Sequence, residues 1–286
     1  MITTVAKKRS TDWWLRHVTV RAAAYAILTA GAVLVIFPFI WMVLTSFKDY
    51  FEAISPQPQL FPKVWLWQNY VDAWNAAPFA RYFANTLFVA SASTLGMLVT
   101  SVPAAYAFAR MRFPGRGLLF LAFLATMMIP SEVTLIPNYI TISRLKWLDT
   151  YQALIVPFLA DVFAIFLLRQ FFMSVPDELH DAAKLDGCGH GRFLWFVALP
   201  LSVPALITVG LFQFLGSYNA LLWPLLVTSK PHMRVLQNGL TVFRTENGTD
   251  IHLQMAASTF VTVPVILLYL LAQKRFVEGI ARTGLK

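Results

Sequence analysis

Residues 22–47 read Ala22-Ala-Ala-Tyr-Ala-Ile-Leu-Thr-Ala-Gly-Ala-Val-Leu-Val-Ile-Phe-Pro-Phe-Ile-Trp-Met-Val-Leu-Thr-Ser-Phe47 and carry no charge. A helix rises ~1.5 Å per residue, so about 20 such residues cross the ~30 Å hydrocarbon core of a bilayer. The run follows Lys7, Lys8, Arg9 and Arg16, as a secretory leader would. Its length exceeds the ~7–15 apolar residues of a leader, so it reads as a retained membrane helix.

Working outward, five further apolar runs meet the same length test, at 85–108, 118–140, 152–172, 197–227 and 255–273. They are continuously apolar rather than alternating, which excludes a β-barrel. The expected fold is an all-α membrane protein with six transmembrane helices. A short helix on the inner side joins the fourth to the fifth. One membrane domain, 22–275, is flanked by an N-terminal tail, 1–21, and a C-terminal tail, 276–286; the inner loop spans 173–196.

Composition agrees. The chain has 286 residues, 58% of them hydrophobic and 13% charged, with a mean hydropathy of +0.62. A soluble domain carries about 25% charged residues, so lipid must solvate much of this surface. The net charge of +9 comes from Lys and Arg that flank the apolar runs. That placement points to a membrane surface and away from nucleic acid. Cys188 is the sole cysteine, which excludes an intramolecular disulfide and a Cys-built metal site.

Orientation follows from Lys and Arg placement. With six crossings both termini share a side. That side holds Lys7, Lys8, Arg9, Arg16, Arg21, Arg110, Arg112, Arg116, Arg169, Lys184, Arg192, Lys274, Arg275, Arg282 and Lys286. The other side holds Lys48, Lys63, Arg81, Arg144, Lys146, Lys230, Arg234 and Arg244. Fifteen against eight puts both termini in the cytoplasm. The outer loop 48–84 carries Pro56, Pro58 and Pro62 with Trp65, Trp67, Tyr70 and Trp74, and reads as an ordered loop with an interfacial aromatic belt. Asn247-Gly248-Thr249 matches a glycosylation sequon and reads as chance.

The most informative polar stretch is Ser174-Val-Pro-Asp-Glu-Leu-His-Asp-Ala-Ala-Lys-Leu-Asp-Gly187. Ser174 with Asp177 suggests a capping-box-like start. Pro176 suits the first turn, and Asp177 and Glu178 complement the helix dipole. Gly187 is a natural residue just past the helix end. The helix is too short and polar to cross a bilayer. Leu179, Ala182, Ala183 and Asp186 fall on one small, mildly apolar face. Such a face suits close approach by another backbone, or simply lies along the chain's own bundle.

This stretch resembles the cytoplasmic signature loop of binding-protein-dependent ABC importer permeases. That pattern is Glu-Ala-Ala, two residues, Asp-Gly, nine residues, an apolar residue, any residue, then Leu-Pro. It stands here as Asp181-Ala182-Ala183, Asp186-Gly187 and Val197-Ala198-Leu199-Pro200. The departure is Asp181, which keeps the charge on a stem one methylene shorter. Other stretches are similar to the carbohydrate and glycerol-phosphate branch, of maltose-permease type. Among them are Thr45-Ser46-Phe47-Lys48, Asn85-Thr86, Ala105-Tyr106-Ala107-Phe108-Ala109-Arg110 and Leu222-Trp223-Pro224.

The resemblance implies a coupling helix docked on a dimeric ATP-binding subunit, through Glu178, Asp181, Ala182, Ala183, Asp186 and Gly187. It implies a second homologous permease, an extracytoplasmic solute-binding protein, and a setting in a bacterial or archaeal inner membrane. The chain itself would bind no cofactor; ATP and Mg would sit on the partner subunit. The implied cargo is a sugar or oligosaccharide, with glycerol 3-phosphate or a related polyol phosphate as the alternative.

Glu132 and Asp161 are the acids inside the apolar runs. Intramembrane carboxylates are costly and favour interior or water-filled settings. Glu132 lies between Pro130 and Pro137, which suggests a broken helix lining a cavity. Gln213, Tyr218 and Asn219 place amide and hydroxyl groups near Trp223, as a sugar site requires. These five are the candidate translocation path; interhelical hydrogen bonding explains them equally well. The chain has no phosphate-binding G-x-x-x-x-G-K-[ST] loop and no H-E-x-x-H or G-x-S-x-G motif. An ion-coupled secondary transporter using Glu132 or Asp161 is the competing class. A membrane enzyme ranks last, for want of a nucleophile–base set.

Overall fold

A computed structural model describes the backbone of residues 11–245 and 248–283. The basic residues Lys7, Lys8 and Arg9, Asn247 of the sequon and Lys286 lie outside the described residues. Helix α1, Thr11–Thr45, leads to short α2, Tyr50–Ala53, and α3, Gln68–Asn75. Then come α4, Phe79–Arg110, α5, Arg116–Thr126, and α6, Ser131–Arg144. Next are α7, Tyr151–Ile155, α8, Val162–Ser174, and the inner α9, Asp177–Leu185. The run α10, His190–Phe193, a π-turn, Leu194–Ala198, and α11, Leu199–Leu201, leads into α12, Val203–Tyr218. After α13, Leu222–Val227, and α14, Leu236–Gly239, a two-residue hairpin pairs β1, Arg244–Thr245, with β2, Gly248–Thr249. The last helix is α15, Ile251–Thr283.

Among the described residues, three unbroken helices are long and apolar enough to cross a membrane: Thr19–Thr45, Phe79–Arg110 and Ile251–Leu271. The other three expected crossings are bent pairs. Arg116–Thr126 and Ser131–Arg144 meet at 94°, Tyr151–Phe158 and Val162–Ser174 at 42°, and His190–Leu201 and Val203–Tyr218 at 80°. The third, fourth and fifth apolar runs are therefore not straight helices, as their lengths alone suggest. The first break falls before Pro130, which disfavours helical backbone at Ile129. The third falls at Ser202, between Pro200 and Pro204, with φ −101° and ψ 10°. Pro38, Pro103 and Pro264 sit inside helices that continue through them.

The boundaries differ from the apolar runs in the expected physical way. Helix α1 starts at Thr11, within the basic stretch, because helix propensity does not stop where hydrophobicity does. Helix α12 ends at Tyr218 rather than 227, and Leu222–Val227 is a separate helix.

Helix α4 is the central post. Its inner half packs on α8 and α12 through Met97, Ala105, Tyr106, Leu168, Phe172, Ala205 and Val209. Its outer half meets α15 and the 236–243 segment through Phe79, Tyr82, Phe243, Ala256 and Ala257. A third cluster joins Val89, Ile142, Leu154, Trp223 and Val227. Gly239 lets α14 press onto α4: a Cβ there would lie 2.8 Å from the rings of Phe79 and Tyr82. By contrast, Val20 to Ile40 of α1 present large apolar side chains outward, a surface suited to lipid.

The outer loop is ordered, as its aromatic content suggests. Phe47 packs against Trp65, Trp67 and Tyr70 with ring centroids 4.7–5.3 Å apart. Trp74 packs on Phe83 and Phe260. Asn69 donates to the carbonyls of Ser46 and Lys48, both at 2.8 Å, and ties α3 to the end of α1.

Candidate functional site

Helix α9 is about two and a half turns long. Its start differs from the capping-box expectation. Pro176 holds the N-cap position without a side-chain bond, and Ser174 Oγ donates instead to Phe171 O at 2.8 Å. The extended backbone at Val175 and Pro176 carries Ser174 out of reach of the helix. The end agrees with expectation. Gly187 has φ +76°, which favours glycine, and its N–H donates to Lys184 O. Cys188 N–H donates to Ala183 O at 2.8 Å. These two bonds form a Schellman stop.

Arg110, the last residue of α4, fastens this loop. Its guanidinium donates to Phe172 O at 2.9 Å, to Val175 O, and to the Asp177 carboxylate. Tyr106 OH pairs with His190 Nδ1 at 3.1 Å, and the His190 ring stacks on His180, which abuts Phe193. Burial pushes the His180 imidazole below its ordinary value; Lys184, His190 and Arg110 push the same way, and Asp181 opposes them.

This fastening sorts the predicted docking residues. Ala183 packs toward the bundle core, while Ala182 stays exposed. Asp181, with Asp177, His180 and Lys184, lines a crease of about 610 Å³ shared with Arg112 and Arg116. Glu178, Leu179, Ala182, Asp186 and Gly187 remain exposed. Leu185, which sequence reasoning missed, is 90% exposed. Its signal was available: a leucine one residue before the stop, off the stripe that was read as apolar.

Nearer the bilayer centre, two adjoining chambers share Phe158, Ala220 and Trp223. The larger, about 470 Å³, includes Glu132, Asn138 and Asn219. The smaller, about 230 Å³, includes Gln213, Ser217 and Thr86. Trp223 is fixed by donation from Nε1 to Ala153 O at 2.9 Å, and Phe158 meets its ring edge-on at 6.2 Å. Glu132, in the first turn of α6, sits beside Ser131 at 3.2 Å. Three of the five candidate path residues thus converge on one aromatic pair.

The other two sit apart. Tyr218 is buried and donates its hydroxyl to Val261 O at 2.8 Å on α15. Asp161 is at a break rather than mid-helix: it is the N-cap of α8, and Oδ1 accepts from Ala164 N–H at 2.5 Å. An Asp three residues before the N–H it accepts from, just after a break, is the local signal for such a cap.

The loop 228–236 has an organiser that sequence reasoning did not single out as a site. Asn85 donates to His232 O at 2.9 Å and Arg234 O at 2.8 Å, and accepts from Tyr151 OH at 2.8 Å. Beside it, Thr86 Oγ1 accepts from Leu236 N–H at 2.9 Å. Asp149, at φ +56°, accepts from the N–H groups of Ser229 and Lys230. Burial alone would raise its pKa. The two backbone N–H groups, with Lys230 and His232, more than offset that and hold it below the ordinary value.

Comparison with known proteins agrees with this architecture. Residues 96–281 match the family described as binding-protein-dependent transport system inner membrane component. The chain is 35% identical over 264 residues to the sn-glycerol-3-phosphate transport system permease protein UgpE of Yersinia enterocolitica, covering 90% of this chain and 94% of that protein. It is 31% identical to the diacetylchitobiose uptake system permease protein NgcG of Streptomyces coelicolor, covering 91% and 87%. A bacterial ABC transporter involved in the import of the acidic polysaccharide alginate contains a chain with the same fold. The TM-score is 0.79 and the identity 24%, covering 95% of this chain and 100% of that one. The broken crossings, the fastened inner helix and these likenesses converge: the chain belongs to the binding-protein-dependent transport system inner membrane components, the permease subunits of ABC importers.

Proposed function

We propose that this chain forms half of the channel of an ATP-driven importer that moves a sugar or oligosaccharide handed over by an extracytoplasmic binding protein. A second, related permease supplies the other half. A dimeric ATP-binding subunit on the cytoplasmic side holds Mg-ATP and does the hydrolysis, and both termini of this chain lie on that side. The observation that carries the reading is α9: a short helix, stopped by Gly187, fastened to α4 by Arg110, with Leu179, Ala182 and Leu185 left exposed. Such a helix is a coupling helix. Closure of the ATP-binding subunits displaces it, and Arg110 passes the displacement to α4. The two ends of the equilibrium are inward-open and outward-open channels.

The cavity around Trp223 and Phe158 supplies an aromatic platform with Asn138, Asn219 and Gln213 as orienting groups. No lysine or arginine lines either chamber among the described residues. A phosphate calls for fixed cationic donors, so the lining favours a neutral glycan. Glycerol 3-phosphate, in the name of the UgpE relatives, is the second reading.

The test uses the assembled complex. Ala182→Trp, on the exposed face, is expected to abolish retention of the ATP-binding subunit and uptake while the permease pair stays folded in the membrane. Full uptake by this variant removes the docking assignment. Ala183→Trp, which meets the core, is expected to lower the amount of folded permease as well. Substrate class is read from the cognate binding protein: thermal stabilisation by a neutral oligosaccharide supports the first reading, and by glycerol 3-phosphate the second.

A further inference from the structure

We propose that the inner-face crease between α9 and the turn joining α4 to α5 seats the phosphate group of an anionic lipid of the cytoplasmic leaflet. The crease, about 610 Å³, is lined by Arg110, Arg112, Arg116 and Lys184 against only two carboxylates, Asp177 and Asp181. Asp177 is taken by Arg110. Asp181 lies 4.0 Å from His180. The side chains of Arg112 and Lys184 are exposed and make no hydrogen bond or ion pair among the described residues. Arg116 gives one nitrogen to Met111 O at 2.9 Å and keeps the rest of its fork free. It also repels Arg169, which lies over the Phe120 ring at 4.2 Å with no acid beside it. Like charges gathered in this way call for an anion, and a guanidinium fork suits phosphate oxygens.

The position selects the lipid over a soluble anion or an acidic protein segment. Arg116 opens α5, and within a turn and a half Leu118 and Leu121 are 74% and 62% exposed. The cations therefore sit where an outward-facing apolar helix enters the membrane. A headgroup phosphate in the crease leaves its acyl chains against those leucines. Each basic residue near an anionic leaflet adds to the attraction.

The experiment uses the complete transporter, permease pair and ATP-binding subunits together, with lipids counted by native mass spectrometry. Phosphatidylglycerol is expected to stay bound in preference to phosphatidylethanolamine. The double variant R112Q/K184Q, made from exposed side chains, is expected to weaken that retention about tenfold or more. R192Q, on α10 and outside the crease, is expected to leave it unchanged. Equal retention by R112Q/K184Q, or equal loss in R192Q, overturns the proposal. So does displacement of the lipid by millimolar inorganic phosphate, which assigns the crease to a soluble anion. Retention seen only after the ATP-binding subunit is stripped away assigns the crease to that subunit and likewise overturns it.

Discussion

Arg110 and Asp177 form an ion pair whose two halves live in different media. The arginine side chain is 9% exposed and the aspartate 84%. The cation is held by the Phe172 and Val175 carbonyls as well, whereas the anion has water on most sides. An exposed pair is worth little, about 0–1 kcal/mol. Hydrogen bonds from a charged donor are worth ~1.5–3 kcal/mol. The fastening of α9 to α4 therefore rests mainly on arginine and backbone.

Arg110→Ala is accordingly expected to free the 173–187 segment, at a cost on the order of 3 kcal/mol. Asp177→Asn is expected to cost less than about 1 kcal/mol. Hydrogen exchange across 173–187 measures both. In the assembled importer, Arg110→Ala is expected to hydrolyse ATP with little response to loaded binding protein. Unchanged exchange in Arg110→Ala sinks the fastening.

His180 is expected to make α9 sensitive to pH. Its side chain is 12% exposed and faces His190 from α10, Arg110 from α4, and Lys184 and Asp181 from its own helix. Arg112 and Arg116 stand across the crease. With the folded value below the unfolded one, near 6.5, its contribution is complete above 6.5 and fades as pH falls through the lowered value. Exchange protection of 177–187 is expected to hold at about pH 7.5 and to weaken toward about pH 5.5. His180→Leu is expected to flatten that profile; an identical profile in both proteins contradicts the assignment.

Asn85 holds the outer mouth. Replacing it with Ala leaves the Arg234 carbonyl and the Tyr151 hydroxyl without their partners, and the His232 carbonyl with only Arg81 Nε at 3.4 Å. The expected cost is on the order of 3 kcal/mol, confined to 228–243, since each unmet buried polar group costs ~1–3 kcal/mol. Limited proteolysis from the outer side reads it. Docking of the binding protein is expected to fall with it, while ATP-binding-subunit retention stays intact.

Asp149 anchors the same loop from the other flank. Its folded pKa is below the ordinary 3.8, so the anchor is fully present above 3.8 and is lost only as pH falls beneath that. Mild external acidification to about pH 5 is expected to leave the loop protected. Asp149→Asn tolerates the left-handed backbone and keeps an acceptor, so a small effect is expected. Asp149→Ala loses both, and a larger rise in outer-loop proteolysis is expected.

Three unbroken spans, and up to six if each bent pair counts as one, were legible because continuous hydrophobicity reports burial in lipid. It does not report backbone direction, so the bends at 94° and 80° were not. Proline alone does not settle them either: Pro103 and Pro264 leave their helices unbroken, while Ile129-Pro130 ends one. The inner helix was legible from local chemistry, above all Gly187. Which way its side chains turn was not, because Arg110 sets that from 67 residues away. Ala183 was grouped with Ala182 on spacing and Asp181 with both through the family motif; the structure turns Asp181 to the crease and Ala183 to the core. Glu132, Gln213 and Asn219 were chosen as unusual polar residues in apolar runs, and that rarity brought three of five to one place. Asn85 shared it but was read only for its likeness to a family.

The buried elbow at Ser202 has a mechanical consequence. A bend of 80° between the 190–201 arm and α12 behaves as a bell crank. A push along the short arm, received where His190 and Phe193 meet α9, emerges as sideways travel of the long arm that carries Gln213 and Ser217. Under the proposed coupling, a displacement of α9 would thereby change the width of the chamber those two residues line.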